Sequence, residues 1–246
     1  MNIGDMGVPF IYQGEELIYP DPVKDGLVLW YDFSGMTNDD ESKGIAKDLS
    51  GNGNHGTLQN FNFTPESGYD KNKLLFDGVD DYVVNPDRFD NIYTQEATAI
   101  FSGGDEMYST LTGTLNHMSG QQSGFAVTIV FGDRIRVNLG TGKGLSVNSL
   151  TNTGVNIGDK FHVVAVVDEL LLKVYINGVF NQEFQLVSFD PIQKELTGFY
   201  VGRYGVSYDY YKAADGIFSA KAYNRPLTPE EVAHNYAIEK ERFGIE

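Results

Sequence analysis

The sequence predicts an all-β fold made as one large domain, and three observations carry this. Glycine (28 residues) and aromatic residues (13%) are abundant, while helical periodicity is confined to one C-terminal stretch. Apolar runs of strand length recur between turn residues from Leu27 to Tyr223. Asn177-Gly178 sits between two such runs and is the dipeptide that type I′ hairpins select. A chain of 246 residues holds one large β domain or two small ones, and a hydrophobic fraction of 41% supplies a substantial core.

Residues 1–25 read as an arm, punctuated by Gly4, Gly7, Pro9, Gly14, Pro20 and Pro22. Its short apolar pieces, 8–12 and 17–19, suit packing on the domain or docking on another protein. The domain proper covers 26–246. Its first strand, 27–33, alternates Leu27, Leu29, Tyr31 and Phe33 on one face with Val28, Trp30 and Asp32 on the other. The run is apolar on both faces, so Trp30 reads as core rather than as a sugar platform. Residues 35–47 are a polar surface loop.

Residues 48–58 hold Gly51, Gly53 and Gly56 with Asn52 and Asn54, a composition for a tightly folded corner. Asp48, Ser50, Asn52 and Gly53 match the first half of an EF-hand loop. Position twelve, however, is Gln59 rather than glutamate, and no helix pattern flanks the loop. Asx-type hydrogen bonds explain these side chains. A short strand, 74–76, leads into a second compact turn, Asp77 to Tyr82. Asp77, Asp80 and Asp81 crowd three carboxylates there, and such crowding is relieved by solvent, by hydrogen bonds or by a cation. The turn reads either as carboxylates capping backbone N–H groups or as a Ca²⁺ site that other loops and water complete.

Residues 94–120 are weakly patterned. A strand at 125–131 turns at Gly132-Asp133 into 134–139, with Ile135, Val137 and Leu139 inward and Arg134, Arg136 and Asn138 outward. Residues 140–144 lack phosphate-loop spacing and read as a hairpin tip. The run 161–167 is apolar on both faces and predicts a central strand, with His162 a satisfied strand histidine. Residues 170–176 and 179–186 complete a meander. In 199–211, Tyr200, Tyr204, Tyr208, Tyr210 and Tyr211 interleave with Gly202, Arg203, Gly205 and Asp209. Tyrosine offers an apolar face and a polar tip, which suits a sugar. The same segment reads equally as a glycine-rich loop packed down by its own rings, or as a subunit interface. Residues 216–223 form a closing strand. Thr228-Pro229-Glu230-Glu231 is a capping box with proline in the first turn. Val232, Tyr236 and Phe243 then give a helical stripe that stops at Gly244, predicting one helix over 229–243.

The net charge is −16 and the isoelectric point about 4.5. That field repels nucleic acid and anionic membranes, and repels anionic polysaccharides unless a cation bridges the two. With no cysteine there is no disulfide, zinc-thiolate or thiol nucleophile. No apolar run approaches the ~20 residues of a membrane span. Residues 1–20 lack the basic start and apolar core of a secretory signal.

Four blocks, taken in order, resemble the laminin G-like group of the concanavalin A-like lectin/glucanase superfamily, of the kind found in bacteriophage structural proteins. They are Asp48 to Gly56, Leu74 to Val83, the strand pair ending Tyr175-Ile176-Asn177-Gly178, and Lys221-Ala222-Tyr223-Asn224-Arg225-Pro226-Leu227. The resemblance implies an antiparallel two-sheet jelly-roll sandwich, here with an N-terminal arm and one short C-terminal helix. Many relatives hold calcium at a sandwich edge. Some carry an acidic residue near the position of Ser219, and that role does not transfer to this chain.

The superfamily's hydrolases set alternating acids on one strand. No strand here does so, no G-x-S-x-G is present, and the reading is non-enzymatic. Two functions follow. One is a lectin-like carbohydrate-binding module that contacts host-surface polysaccharide through Arg203, Tyr204, Tyr208, Asp209, Tyr210 and Tyr211, with Ca²⁺ at Asp77, Asp80 and Asp81. The other is a purely structural virion or assembly protein with no glycan ligand. An extracellular type of module without a signal places the chain on a virion surface (tail, baseplate or head decoration), with residues 1–25 docking other virion proteins. A bacterial cell-surface adhesion module is the alternative. Nucleic acid and membrane are not partners, and a homo-oligomer remains open.

Overall fold

The computed structural model describes the chain apart from residues 1, 4–5, 8–9, 14–15, 88, 101–107, 117–121, 131–133, 151–152, 193–197 and 206–215; side chains at 1–9, 12–17 and 149 also lie outside the description. The arm carries two two-stranded ladders, β1 (Asn2–Ile3) with β2 (Met6–Gly7) and β3 (Ile11–Gln13) with β4 (Glu16–Tyr19). The domain follows with β5 (Leu27–Asp32), β6 (Ile45–Ala46), β7 (Gly56–Gln59), β8 (Gly68–Asp70), β9 (Lys73–Leu75) and β10 (Tyr82–Asn85). Next come β11 (Thr94–Ile100), β12 (Tyr108–Gly113), β13 (Phe125–Val130), β14 (Arg134–Gly140) and β15 (Leu145–Ser149). The chain ends with β16 (Lys160–Asp168), β17 (Leu171–Ile176), β18 (Val179–Gln185), β19 (Phe199–Val201), β20 (Gly216–Tyr223) and α1 (Pro229–Phe243).

These strands form a sandwich of two antiparallel sheets. One runs β15-β14-β13-β12-β19-β10-β7-β6, and the other β18-β17-β16-β11-β20-β9-β8 with β5 also on β20. Inward residues of both sheets, among them Tyr31, Val83, Phe125, Val137, Phe161 and Phe199, make the main core. The meander 160–185 is as the sequence predicts, with β16 interior and Asn177 and Gly178 both at positive φ (49° and 73°) in the hairpin turn.

The weakly patterned 94–120 segment contains two interior strands, β11 and β12. β11 reads Thr-Gln-Glu-Ala-Thr-Ala-Ile and is buried from Thr94 to Ala99. Its pattern hid it because neither face is simply apolar. Ala97 and Ala99 face the core beside Ala220 of β20. Gln95 crosses to the other sheet, donating to Phe125 O at 2.9 Å and to Thr114 Oγ1 at 3.1 Å.

The opposite face of β11 lies under α1. The helix begins and ends as its caps dictate: Thr228 and Glu231 form a capping box, and Gly244 is left-handed. Its buried residues are Val232, Asn235, Glu239 and Phe243, so the centre of the docking face is polar. Register places Glu96, Lys221 and Trp30 side by side on the sheet beneath it. Lys221 Nζ bridges Glu96 Oε1 (2.6 Å) and Glu239 Oε1 (2.8 Å), with side chains 0–1% exposed. Asn235 donates to Glu96 Oε2 at 2.7 Å, while Thr98 and Ser219 donate to Glu239 Oε2 at 2.6 and 2.5 Å. His162 Nε2 lies 3.1 Å from Glu96 Oε1, and Arg242 pairs with Asp32.

Burial alone would push Glu96 and Glu239 up. Burial is the largest influence at both, but the Lys221 ammonium together with His162 and the hydrogen bonds at Glu96, and together with Arg242 and His162 at Glu239, outweighs it, and both carboxyls fall below their ordinary 4.5. Burial pulls Lys221 down, but Glu239 and Glu96 outweigh it and hold the amine above its ordinary 10.5.

Removing one member leaves buried charge uncompensated. Lys221→Met should therefore cost about 3–5 kcal/mol in chemical denaturation. A loss under 1 kcal/mol would show that the network is solvated rather than sealed. The carboxylates' share of stability is complete above pH 4.5 and falls as pH drops toward their lower folded values; the Lys221 share is complete below pH 10.5 and falls above it. Melting temperature measured across pH should accordingly drop on both the acid and the strongly alkaline side.

Candidate functional site

The glycine-rich corner is internally bonded. Asp48 Oδ1 accepts the N–H groups of Trp30 and Ser50, both at 2.9 Å, and Oδ2 accepts Asn54 N (2.9 Å) and Ser50 Oγ (2.7 Å). The amides of Asn52 and Asn54 donate back to Val28 O. The bonds from Ser50 and Asn54 to Asp48 fit the Asx reading, and those to Trp30 and Val28 hold the loop on β5.

The second turn behaves similarly at Asp77, whose Oδ1 accepts Val79 N (2.7 Å) and Asp80 N (3.2 Å). Asp81 is 2% exposed; its Oδ2 accepts Asp77 N at 3.0 Å, and its Oδ1 is buried with no hydrogen bond. Burial first, then the neighbouring Asp77 and Asp80 charges, push the Asp81 carboxyl up. One oxygen from each of Asp77, Asp80 and Asp81 lies within 4.8 Å of the others. Such spacing fits the oxygen donors a hard cation takes.

Sheet register brings this turn to the tyrosine-rich segment. β10 runs antiparallel to β19, with Val83 opposite Val201 and Val84 opposite Tyr200. Val83, Phe199 and Val201 point into the core, which turns Tyr82 and Tyr200 to the outer face. Their rings lie 6.1 Å apart, and the Arg203 guanidinium sits 4.7 Å from the Tyr82 ring centre. The result is a half-buried aromatic and cationic patch on rigid strands, beside the acidic turn.

Of the predicted residues, Arg203, Asp77, Asp80 and Asp81 are thus at one end of β10 and β19. Tyr204 has a different place: it is 2% exposed, packs with Leu115 and Ala126, and its hydroxyl pairs with the Asn138 amide. Its ring is packing, not a ligand platform. Tyr208, Asp209, Tyr210 and Tyr211 lie outside the described residues. Sequence reading missed Tyr82, which it placed in a turn, and, as a partner of the patch, Tyr200, which it placed in a loop; the signal available was tyrosine alternating with apolar residues in Tyr82-Val83-Val84 and Phe199-Tyr200-Val201. It also missed the paired carboxylates of Glu96 and Glu239, which α1 covers.

No family model matches the chain, and no curated protein sequence matches it. Solved structures do. A mutant of Trypanosoma rangeli sialidase displaying trans-sialidase activity superposes with a TM-score of 0.58 and 16% identity over 90% of this chain and 34% of the sialidase. The same sialidase in complex with sialic acid gives a TM-score of 0.57 and 17% identity over 88% of this chain and 33% of the other. The botulinum neurotoxin serotype D binding domain gives 0.61 and 14% identity, over 87% of this chain and 52% of that one. The chain therefore spans about a third of the sialidases and half of the toxin domain. At these identities the likeness is one of fold, and it agrees with the two-sheet sandwich.

The contrast between Tyr204 and Tyr82 is measurable. Tyr204→Ala should destabilise by about 3 kcal/mol or more, as a buried large-to-small change. Tyr82→Ala, on the outer face, should cost clearly less in the same urea titration; equal costs would contradict the assignment of one ring to packing and the other to the surface.

Proposed function

We propose that the domain is a non-catalytic, lectin-like module that binds glycan on the outer face of the β10–β19 pair. One observation carries this: Tyr82, Tyr200 and Arg203 form a shallow platform at the surface, held from below by core residues. Tyrosine faces suit the C–H face of a sugar, and the guanidinium supplies donors for hydroxyl oxygens. Absence of catalysis is supported by the burial of Glu96 and Glu239. These carboxylates share Lys221 under α1, where no glycosidic bond can reach them.

Ca²⁺ at Asp77, Asp80 and Asp81 belongs to the same proposal. Asp77 Oδ2, Asp81 Oδ1 and the Asp80 carboxylate accept no hydrogen bond among the described residues. A cation there would also relieve the burial cost at Asp81.

Binding of the purified chain to a broad glycan array, with calcium and then with chelator, tests both parts. Arg203→Ala and Tyr82→Ala should each weaken any binding at least about tenfold, roughly 1.4 kcal/mol, in a chain that remains folded at the assay temperature. Binding that survives both substitutions removes the platform. Binding indifferent to chelator removes the cation but keeps the platform.

The finer reading places the module on a bacteriophage particle facing host polysaccharide, with the arm docked on other virion proteins. Its support is in the sequence: the four motif blocks, the cysteine-free composition and the punctuated arm. Deleting residues 1–19 should then abolish incorporation into particles and leave the domain folded, because Val23 still donates to Asn235 Oδ1 at 2.9 Å. Incorporation of the shortened chain would overturn that role.

A further inference from the structure

A cavity of about 330 Å³ lies between the arm and the sandwich, and shares no residue with the Tyr82–Arg203 patch. We propose that it is a second binding site, for a small amphipathic anion: a carboxylate carried on a short aliphatic or aromatic body. The walls come from four places. Phe33 and Met36 follow β5, Ala46 belongs to β6, Tyr69 to β8, and Phe10 to the arm. Phe33, Ala46 and Tyr69 are buried members of the main core, with Met36 packed against it, so the apolar wall is rigid. A volume of this size is within the range that holds small ligands, and an apolar lining with a few convergent polar groups is their usual environment.

The polar groups at the wall decide the sign of the ligand. Asp32 is the only acid among the lining residues, and both of its oxygens are occupied. Oδ1 accepts Ser34 N at 2.9 Å, and Oδ2 is paired with the Arg242 guanidinium. Arg242 in turn lies 5.3 Å from the Phe10 ring centre, which ties the arm to this wall. The Tyr69 hydroxyl donates to Lys43 O at 3.0 Å. What remains unused is donor capacity. Lys47 has no ion pair among the described residues. His55 Nδ1 accepts Asp48 N at 3.0 Å, so the ring proton is on Nε2 and is available to an acceptor. The Ser42 hydroxyl likewise has no partner among the described residues. An apolar cleft whose exposed rim carries an ammonium, an imidazole N–H and a hydroxyl is complementary to an anion with an apolar body. A cation would meet the Lys47 ammonium and find only hydroxyl oxygens and the already paired Asp32 carboxylate as acceptors, and a fully polar anion would leave the aromatic walls wet.

The glycine-rich corner thereby gains a role beyond holding β5. Asp48, whose carboxylate fixes the loop, uses its own N–H to fix the His55 tautomer. The arm's role changes too, since Phe10 is a wall of the site.

Calorimetric titration of the full chain with octanoate, octanol and octylamine tests the proposal. Octanoate should bind with saturable one-to-one stoichiometry, and octanol and octylamine at least about tenfold more weakly. The Lys47→Ala/His55→Ala double variant should lose about tenfold or more for octanoate while leaving octanol unchanged. Met36→Trp, which fills the chamber from its partly buried wall, should abolish binding of all three. Ser42→Trp, at the exposed rim, serves the same purpose should the Met36 variant fail to fold. Labelled-methionine NMR gives the location: the Met36 methyl should shift on adding octanoate. No octanoate binding by the native chain, octylamine binding as tight as octanoate, or full octanoate binding in a folded chamber-filling variant overturns the site.

Discussion

The structure depends on a single buried ammonium. Lys221 sits between Glu96 of β11 and Glu239 of α1, and everything around it is arranged to keep that contact dry and complete. Asn235 occupies the second Glu96 oxygen, and Thr98 and Ser219 share the second Glu239 oxygen. Four strands and the helix meet there, since Asp32 of β5 reaches Arg242 of α1 and His162 of β16 faces Glu96. A helix with an apolar face could slide on an apolar sheet; a helix pinned by fixed charges has one position. The cost of desolvating these groups is recovered only in that geometry.

The two ends of the sandwich divide the remaining chemistry. At one, antiparallel pairing of β10 and β19 sets the acidic turn next to Arg203 and turns two tyrosines outward. At the other, the corner at Asp48 fastens β5 and presents His55 beside the arm. At the first, Tyr82 and Tyr200 stand on strands whose opposite faces are core, with Arg203 and the acidic turn just beyond the strand ends; at the second, Lys47 follows β6 and His55 precedes β7, where Asp48 fixes the corner. Side chains held in this way suit a recognition surface.

The chain's acidity bears on both proposed sites. With a net charge of −16, the field disfavours anionic partners at long range. A neutral glycan on the proposed tyrosine platform would be unaffected by it. An anion entering the chamber must rely on the local donors Lys47 and His55, which act within a few ångströms, where the screened long-range field is weak.

By itself the sequence determined what local chemistry determines. The hairpin at Asn177-Gly178, the caps of α1, the Asx-bonded corner at Asp48 and the strands with clear apolar alternation all follow from nearest neighbours, and from them the all-β class. Tertiary structure alone decided the rest. β11 escaped notice because its outward residues, Thr94, Glu96 and Thr98, look like surface until a helix 130 residues later covers them. Tyr204 looked like a ligand ring because tyrosine is amphipathic, and only the placement of Asn138 and Ala126 beside it made it packing. Tyr82 looked like the tail of a turn until strand register set Tyr200 and Arg203 against it. In each case the deciding contact joins residues far apart in sequence, and no pattern within a single segment records it.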